Sequence, residues 1–463
     1  MRQTILLATL GCFCALPTSA MTYFMSSTGN DSNSGTSTAT PWLTPNHAVN
    51  CGDTILASAG TYPVIDAFGT VNCPAGNNVA WLTCATFDTC KISITGAHTN
   101  GIEVNASYWG VQGWEVTTSY DPNECFVAYP PSSSVEIHHI IFANNVANGC
   151  DNGGFATGNN GNAGVDYLVV VGNIAYNAAQ SAAACTSGID IYQPVQSDAV
   201  AGTHYYIGGN YSYANNNPST CASGAPTDGE GIIIDTPDGR STSGLTPYAQ
   251  QMLVDNNILI ANGGRGFEVV NNTEGSANAN IYVRHNTAWG NNTNTHESTG
   301  LCGEFLIQTA YNTQVYSNIG VTNQASGCGG QSLYAYYIIG GNTTDTITQD
   351  VGWSATGTYL DDATNNNGFT PGTNLFGTNP TFANAVAPGA PSCGSFASVP
   401  ACMATVIADF MPTTAAALSY GYQVPSSALA YDPLFPQWLC NVNLPAGLVT
   451  MGCFRLHLTV HVS

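Results

Sequence analysis

A short β-rich run that closes on asparagine recurs along this chain, and few architectures can accommodate it. The run reads Phe142-Ala143-Asn144-Asn145-Val146, Val171-Gly172-Asn173-Ile174, Ile207-Gly208-Gly209-Asn210-Tyr211, Val254-Asp255-Asn256-Asn257-Ile258, Val283-Arg284-His285-Asn286-Thr287 and Val315-Tyr316-Ser317-Asn318-Ile319. A seventh copy, Ile347-Thr348-Gln349-Asp350-Val351, carries aspartate in the key place. Successive key positions lie 28, 37, 47, 29, 32 and 32 residues apart. A constant signature on variable spacing is what stacked coils produce, because a loop can bulge from one coil without disturbing the next. Asparagine suits the corner of such a coil. It tolerates the left-handed backbone of a sharp bend, and its amide can bond the equivalent residue above and below.

A second strand family precedes most of these runs and opens on glycine: Gly101-Ile102-Glu103-Val104, Gly188-Ile189-Asp190-Ile191, Gly231-Ile232-Ile233-Ile234, Gly266-Phe267-Glu268-Val269 and, less regularly, Gly303-Glu304-Phe305-Leu306. Alternation puts Ile189, Ile191, Ile232, Ile234, Phe267 and Val269 inside and their neighbours outside. A β-sandwich would instead call for tight Asn-Gly hairpins, of which there are few, and no helical period is sustained. The fold class is therefore all-β, a right-handed parallel β-helix solenoid over residues 21–365. Residues 366–463, with Cys393 and Cys402, read as an irregular disulfide-stapled C-terminal cap packing over the open end of the solenoid, where strand edges would otherwise be unpaired.

The ends and the composition bear on where such a chain works. Met1-Arg2, an apolar stretch from Ile5 to Leu16 and Pro17-Thr18-Ser19-Ala20 have the layout of a secretory signal over residues 1–20, which implies a secreted or extracellular protein. No later stretch is apolar enough to span a membrane. Two of the 16 cysteines, Cys12 and Cys14, fall in the signal and an even number remains, as expected for disulfides in an oxidising space, with Cys84–Cys90 and Cys393–Cys402 as nearby candidates. Only 7% of residues are charged, and 6 Lys+Arg face 28 Asp+Glu for a formal net charge of −22. So few cations exclude nucleic acid as a partner, since phosphate binding needs clustered Lys and Arg. The acidity fits a protein adapted to an acidic exterior.

The opening Tyr23-Phe24-Met25-Ser26-Ser27-Thr28-Gly29-Asn30-Asp31, then Trp42, Gly52-Asp53-Thr54-Ile55 and Gly60-Thr61-Tyr62, resembles the start of the pectate-lyase-like right-handed parallel β-helix superfamily. With the asparagine repeats the resemblance spans roughly residues 22 to 360. It implies the fold and a carbohydrate-active protein, but not one chemistry, because lyases, hydrolases, epimerases and adhesins share the scaffold. The Asn-Thr-Asp and Arg-Ile-Lys pattern of polygalacturonases and the Asp-Pro-His of alginate epimerases are absent, and Lys91, the only lysine, lies early among cysteine-rich loops.

By the glycine register Asp190, Ile233 and Glu268 share one outward column, Asp235 lies two residues along the coil of Ile233, and Glu304 joins only if its coil shifts. Asp190, Asp235, Glu268 and Glu304 are the candidate catalytic carboxylates, with Arg265 to orient substrate or neutralise charge, or else to form a salt bridge with Glu268. Tyr192, His285 and Arg240 are candidate substrate contacts. Paired carboxylates could cleave a glycosidic bond as general acid and base. Alternatively, Asp228, Glu230 and Asp235 could hold Ca²⁺, or the column could be a protonated, hydrogen-bonded structural ladder. The function expected is cleavage of a polysaccharide by a lyase or glycoside hydrolase. Its rival is a non-catalytic surface, adhesion or matrix protein on the same scaffold.

Overall fold

The computed structural model describes residues 20–419 apart from 75–77, 97–99, 119–123, 240–245, 273–278, 298–301, 323–332, 340–343, 356–358, 363–369 and 372. The expected signal over residues 1–20 lies, save Ala20, outside the described residues. The chain winds as a right-handed parallel β-helix with three long sheets of 12, 11 and nine strands, each joining strands from successive coils. One coil shows the path: Ile189–Tyr192 in the nine-stranded sheet, Thr203–Gly208 in the 12-stranded sheet, Tyr211–Tyr213 in the 11-stranded sheet, then Ile232–Asp235 back beside the first.

Parallel pairing in constant register turns sequence alternation into columns. Ile102, Phe126, Phe155, Ile189, Ile232, Phe267, Phe305 and Tyr336 align one above another, all fully buried. Within that column the Phe126 and Phe155 rings stack at 4.7 Å and Phe305 and Tyr336 at 5.1 Å. The six residues expected inside, from Ile189 to Val269, are all 0% exposed.

The asparagine ladder is continuous. Each Nδ2 donates to the next Oδ1 through Asn145, Asn173, Asn210, Asn257, Asn286 and Asn318 to Asp350, at 2.8–3.2 Å. It runs further than expected, since Asp350 N donates to Asn374 Oδ1 and strands at Thr370–Pro371 and Leu375–Phe376 extend the coil. The left-handed bend, however, is one residue earlier than the expectation placed it. Asn144, Gly172, Gly209, Asn256, His285, Ser317 and Gln349 carry φ between 55° and 63°. The ladder residue itself stays out of that region so that its amide points into the buried corner, and the residue before it makes the turn.

A second ladder, not among the sequence expectations, accompanies the first. Asn215 donates to Asn262, Asn262 to Asn291, and Asn291 to Glu304 Oε2 at 2.6 Å. It marks the corner where the chain leaves the 11-stranded sheet.

The C-terminal segment differs from the expected cap. Its described part forms short helices at Val399–Cys402, Ala404–Asp409 and Ala415–Ser419. Val399, Met403 and Phe410 pack with Val146, Ile174, Tyr211, Tyr213 and Ile260 on the flank of the 11-stranded sheet, so this part lies along the side of the solenoid and not across its end. Disulfides Cys51–Cys73, Cys84–Cys90, Cys125–Cys150, Cys185–Cys221 and Cys393–Cys402 are compatible with an extracellular protein, and no helix among the described residues is long and apolar enough to cross a membrane.

Candidate functional site

On the outer face of the nine-stranded sheet, register pairs Asp190 with Ile233 and Ile233 with Glu268, and pairs Tyr192 with Asp235. Asp190 and Glu268 thus stand two coils apart, about 10 Å at about 4.8 Å per coil, with Asp235 diagonal to both. This face is not an open groove. Asp190 is 9% and Glu268 2% exposed, and only Asp235 and Tyr192 are half-buried.

The chief reason is Arg265, which is itself 1% exposed. Its Nε donates to Glu268 Oε2 at 2.9 Å, with a second, shorter contact from Nη2. Nη1 donates to Glu297 at 2.6 Å, and Nη2 also reaches Glu230 at 2.7 Å and the Thr227 carbonyl at 2.6 Å. Three carboxylates therefore enclose one guanidinium, and each of its nitrogens is engaged with protein. Arg265 cannot orient substrate from that position, and the salt bridge to Glu268 is its role. Burial raises Glu230 well above the carboxylate range and Glu268 to about 7, in both cases against the lowering pull of Arg265, and burial takes Glu297 to about 8. Glu297 was invisible as a partner because it arrives on a loop 32 residues beyond Arg265.

Other expected residues scatter. Glu304 does not join the column: Phe305 aligns with Phe267 and Leu306 with Glu268, which leaves Glu304 two positions before the column, bonded to Asn291 at the end of the second ladder. Burial raises it to about 8. His285 sits at the asparagine corner, bonding Asp255 Oδ1 at 2.9 Å on a different sheet, so it cannot meet a substrate at Asp235. Arg240 lies outside the described residues. Of the three carboxylates considered for Ca²⁺, Glu230 is paired with Arg265 and Ser187, while Asp235 and Asp228 each accept one bond, from the Thr236 and Thr227 hydroxyls. No group of three His, Cys, Asp or Glu among the described residues is arranged to hold a metal.

What remains is a pair. Asp190 is raised well above its usual range by burial, then by Asp235, Asp228, Glu124 and Glu230, and its Oδ1 has no hydrogen-bond partner. Asp235, reached from solvent, is raised by burial to about 6, with the Thr236 hydroxyl opposing the shift and Asp228 and Asp238 adding to it. Two diagonal carboxyls in unequal surroundings, one buried and one reached from solvent, are an arrangement that acid–base chemistry can use. Glu124, also unpartnered at Oε2 and raised by burial to about 8, belongs to the same acidic neighbourhood and was not singled out in the sequence.

A further polar cluster, beyond the sequence expectation, lies on the 12-stranded sheet. His139 and Tyr167 take positive φ within their strands, so alternation fails there and His138 and His139, expected on opposite faces, meet Nδ1 to Nδ1 at 2.9 Å. His139, Tyr167 and His204 stack at 4.4 and 3.8 Å. Beside them buried Asp166 accepts from Tyr248, Ser197 and His204, a fully satisfied anchor.

No family model and no curated protein matches the sequence. Among solved structures, pectate lyase Pel9A is similar at 18% identity over 94% of this chain and 96% of that one, with a TM-score of 0.43. The A-module of Azotobacter vinelandii mannuronan C-5 epimerase AlgE4 is similar at 11% identity over 70% and 86%, TM-score 0.41. The catalytic unit of a GH87 α-1,3-glucanase from Streptomyces thermodiastaticus gives 14%, 71%, 65% and 0.38. At these values none of them assigns a residue or an activity to this chain. The architecture rests on its own strand order and register: a right-handed parallel β-helix, the fold that its opening segment and asparagine repeats resemble.

Proposed function

We propose that this protein is a secreted carbohydrate-active β-helix protein that cleaves a polysaccharide, with Asp190 as proton donor and Asp235 as base. The observation that carries the reading is the Asp190–Asp235 diagonal, a buried carboxyl with an unpartnered oxygen and a pKa raised by that burial, beside a solvent-reached carboxyl raised to about 6. A diagonal of roughly 7–8 Å between strand positions falls in the range where a water fits between two carboxyl groups, about 6.5–9.5 Å for inverting hydrolysis. Tyr192, beside Asp235 in the same register, supplies an apolar ring face for a sugar. Glu268 and Arg265 hold the site's floor and touch no substrate. A lyase would need a cation free to neutralise a uronate, and Arg265, the one arginine on this sheet's turns among the described residues, is already enclosed by carboxylates.

The test is a panel of neutral and acidic polysaccharides incubated with the mature protein from acidic to neutral pH, with and without Ca²⁺. Reducing ends and ultraviolet absorbance of unsaturated products are both recorded. Reducing ends without absorbance, lost at least a hundredfold in Asp190→Asn and Asp235→Asn, are expected. Activity should rise as Asp235 ionises through about pH 6. Absorbance with reducing ends would replace hydrolysis by elimination, and silence across the panel would refute catalysis and leave the non-catalytic surface protein.

A further inference from the structure

Away from the carboxylates, at the corner between the 12- and 11-stranded sheets, lies a cavity of about 250 Å³ whose lining includes Thr83, Phe87, Gln112, Asn144 and Phe396. Two of these residues are neighbours in one column, in which register aligns Leu56, Thr83, Gln112, Ala143 and Val171. Three members of that column are apolar. The fold is therefore content with apolar side chains there, yet two adjacent coils carry polar ones. Thr83 is 6% and Gln112 4% exposed, and neither Thr83 Oγ1 nor Gln112 Oε1 has a hydrogen-bond partner. Buried polar atoms are rarely left so, and an orphaned pair facing a cavity calls for a partner from outside the chain.

The C-terminal segment contributes the facing wall. It is fixed by Val399 N donating to Asn144 Oδ1 at 2.6 Å and by the Cys393–Cys402 disulfide, and it sets Phe396 at the cavity, 43% exposed. None of the lining residues carries a charge. The occupant must then be neutral, donate hydrogen bonds to a hydroxyl and an amide oxygen, and offer an apolar face to an exposed ring. A pyranose meets all three conditions, with hydroxyls around its edge and C–H bonds on its face.

We propose that this cavity binds a single neutral sugar residue of a glycan, with Thr83 and Gln112 as hydrogen-bonding residues and Phe396 as the stacking ring. The site is independent of Asp190 and Asp235, which lie on the nine-stranded sheet. Its place between solenoid and C-terminal segment gives that segment a role beyond covering the flank.

The full chain would be titrated by calorimetry and ligand-detected nuclear magnetic resonance with the methyl glycosides of glucose, galactose, mannose and xylose, and with methyl glucuronide as a charged control. Saturable binding of at least one neutral glycoside is expected, weakened about tenfold or more in Gln112→Leu and in Phe396→Ala. Phe396 is exposed, so its variant keeps the fold, and Asp190→Asn should bind as the unaltered chain does. Failure of every neutral glycoside to bind, which would mean a cavity holding water only, overturns the proposal. So does binding that survives both variants, or glucuronide bound as well as glucoside.

Discussion

Replacing Asp350 by asparagine should stabilise the protein at neutral pH and do nothing at pH 4. Asp350 occupies an asparagine position in the ladder, where its Oδ1 accepts from the Asn318 backbone at 2.7 Å and from its amide at 3.0 Å, while Oδ2 makes no well-formed hydrogen bond and the Tyr336 hydroxyl lies close to the carboxyl. In the coil below, the corresponding atom of Asn318 is an Nδ2 that also donates to the Val283 carbonyl. The aspartate can imitate that donor only by holding a proton, and burial raises its pKa to about 8 against several hydrogen bonds that lower it. A folded-state value above the unfolded one gives a contribution fully present below about pH 4 and lost progressively as pH rises to about 8. At pH 7 the unfolded chain has released the proton and the folded chain keeps it. From an unfolded value of about 3.9, at about 1.36 kcal/mol per pH unit, the penalty approaches about 4 kcal/mol, and relaxation around the carboxyl could halve it. Urea unfolding of Asp350→Asn and the unaltered chain at pH 4 and pH 7 measures the difference. A gain of about 2–4 kcal/mol at pH 7 that vanishes at pH 4 is expected. An equal effect at both values, or a loss at pH 7, would refute the protonated-ladder argument.

The same reasoning extends to the whole chain. Burial raises Glu124, Glu297, Glu304 and Asp345 to about 8 each, so the melting temperature should climb as pH falls from 8 towards 5, and a flat profile would contradict this. Arg265→Met leaves three buried carboxylates without their cation and should destabilise by about 3–5 kcal/mol, more at pH 8 than at pH 5 where protons relieve the repulsion; chemical denaturation at both values decides. Asn257→Ala removes a donor to Ile207 and Asn286 and an acceptor for Asn210 from the middle of the ladder. At about 1 kcal/mol per bond plus orphaned partners it should cost about 3–5 kcal/mol, well above the same change at the ladder's last residue, Asn374.

Repetition was the legible part of this sequence. The ladder positions from Asn145 to Asp350 could be read because a stacked coil imposes one rule on each copy, and the column of Asp190, Ile233 and Glu268 followed from glycine register alone. The second ladder also carries a sequence signal, since Asn215, Asn262 and Asn291 each stand five residues after a first-ladder asparagine. The expected bend falls one residue late because asparagine can supply both the turn and the bonds, whereas the fold splits those tasks between neighbours. Arg265 was harder. Its enclosure depends on Glu230 and Glu297, which lie on irregular loops where no period relates number to position. His139 and Tyr167 defeated alternation because a positive φ inside a strand turns the next side chain to the same face, and nothing local announces it.

Because strands stack along the axis, the hydrogen bonds between coils point along it as well, so tension applied to the two ends would load them in series. Such a molecule peels one turn at a time, each turn of roughly 30 residues paying out about 100 Å of chain at about 3.4 Å per residue. The exceptions are set by covalent cross-links between adjacent turns. Cys125–Cys150 and Cys185–Cys221 bridge neighbouring coils, so under force the turns they tie together would give up shorter lengths than turns without a cross-link.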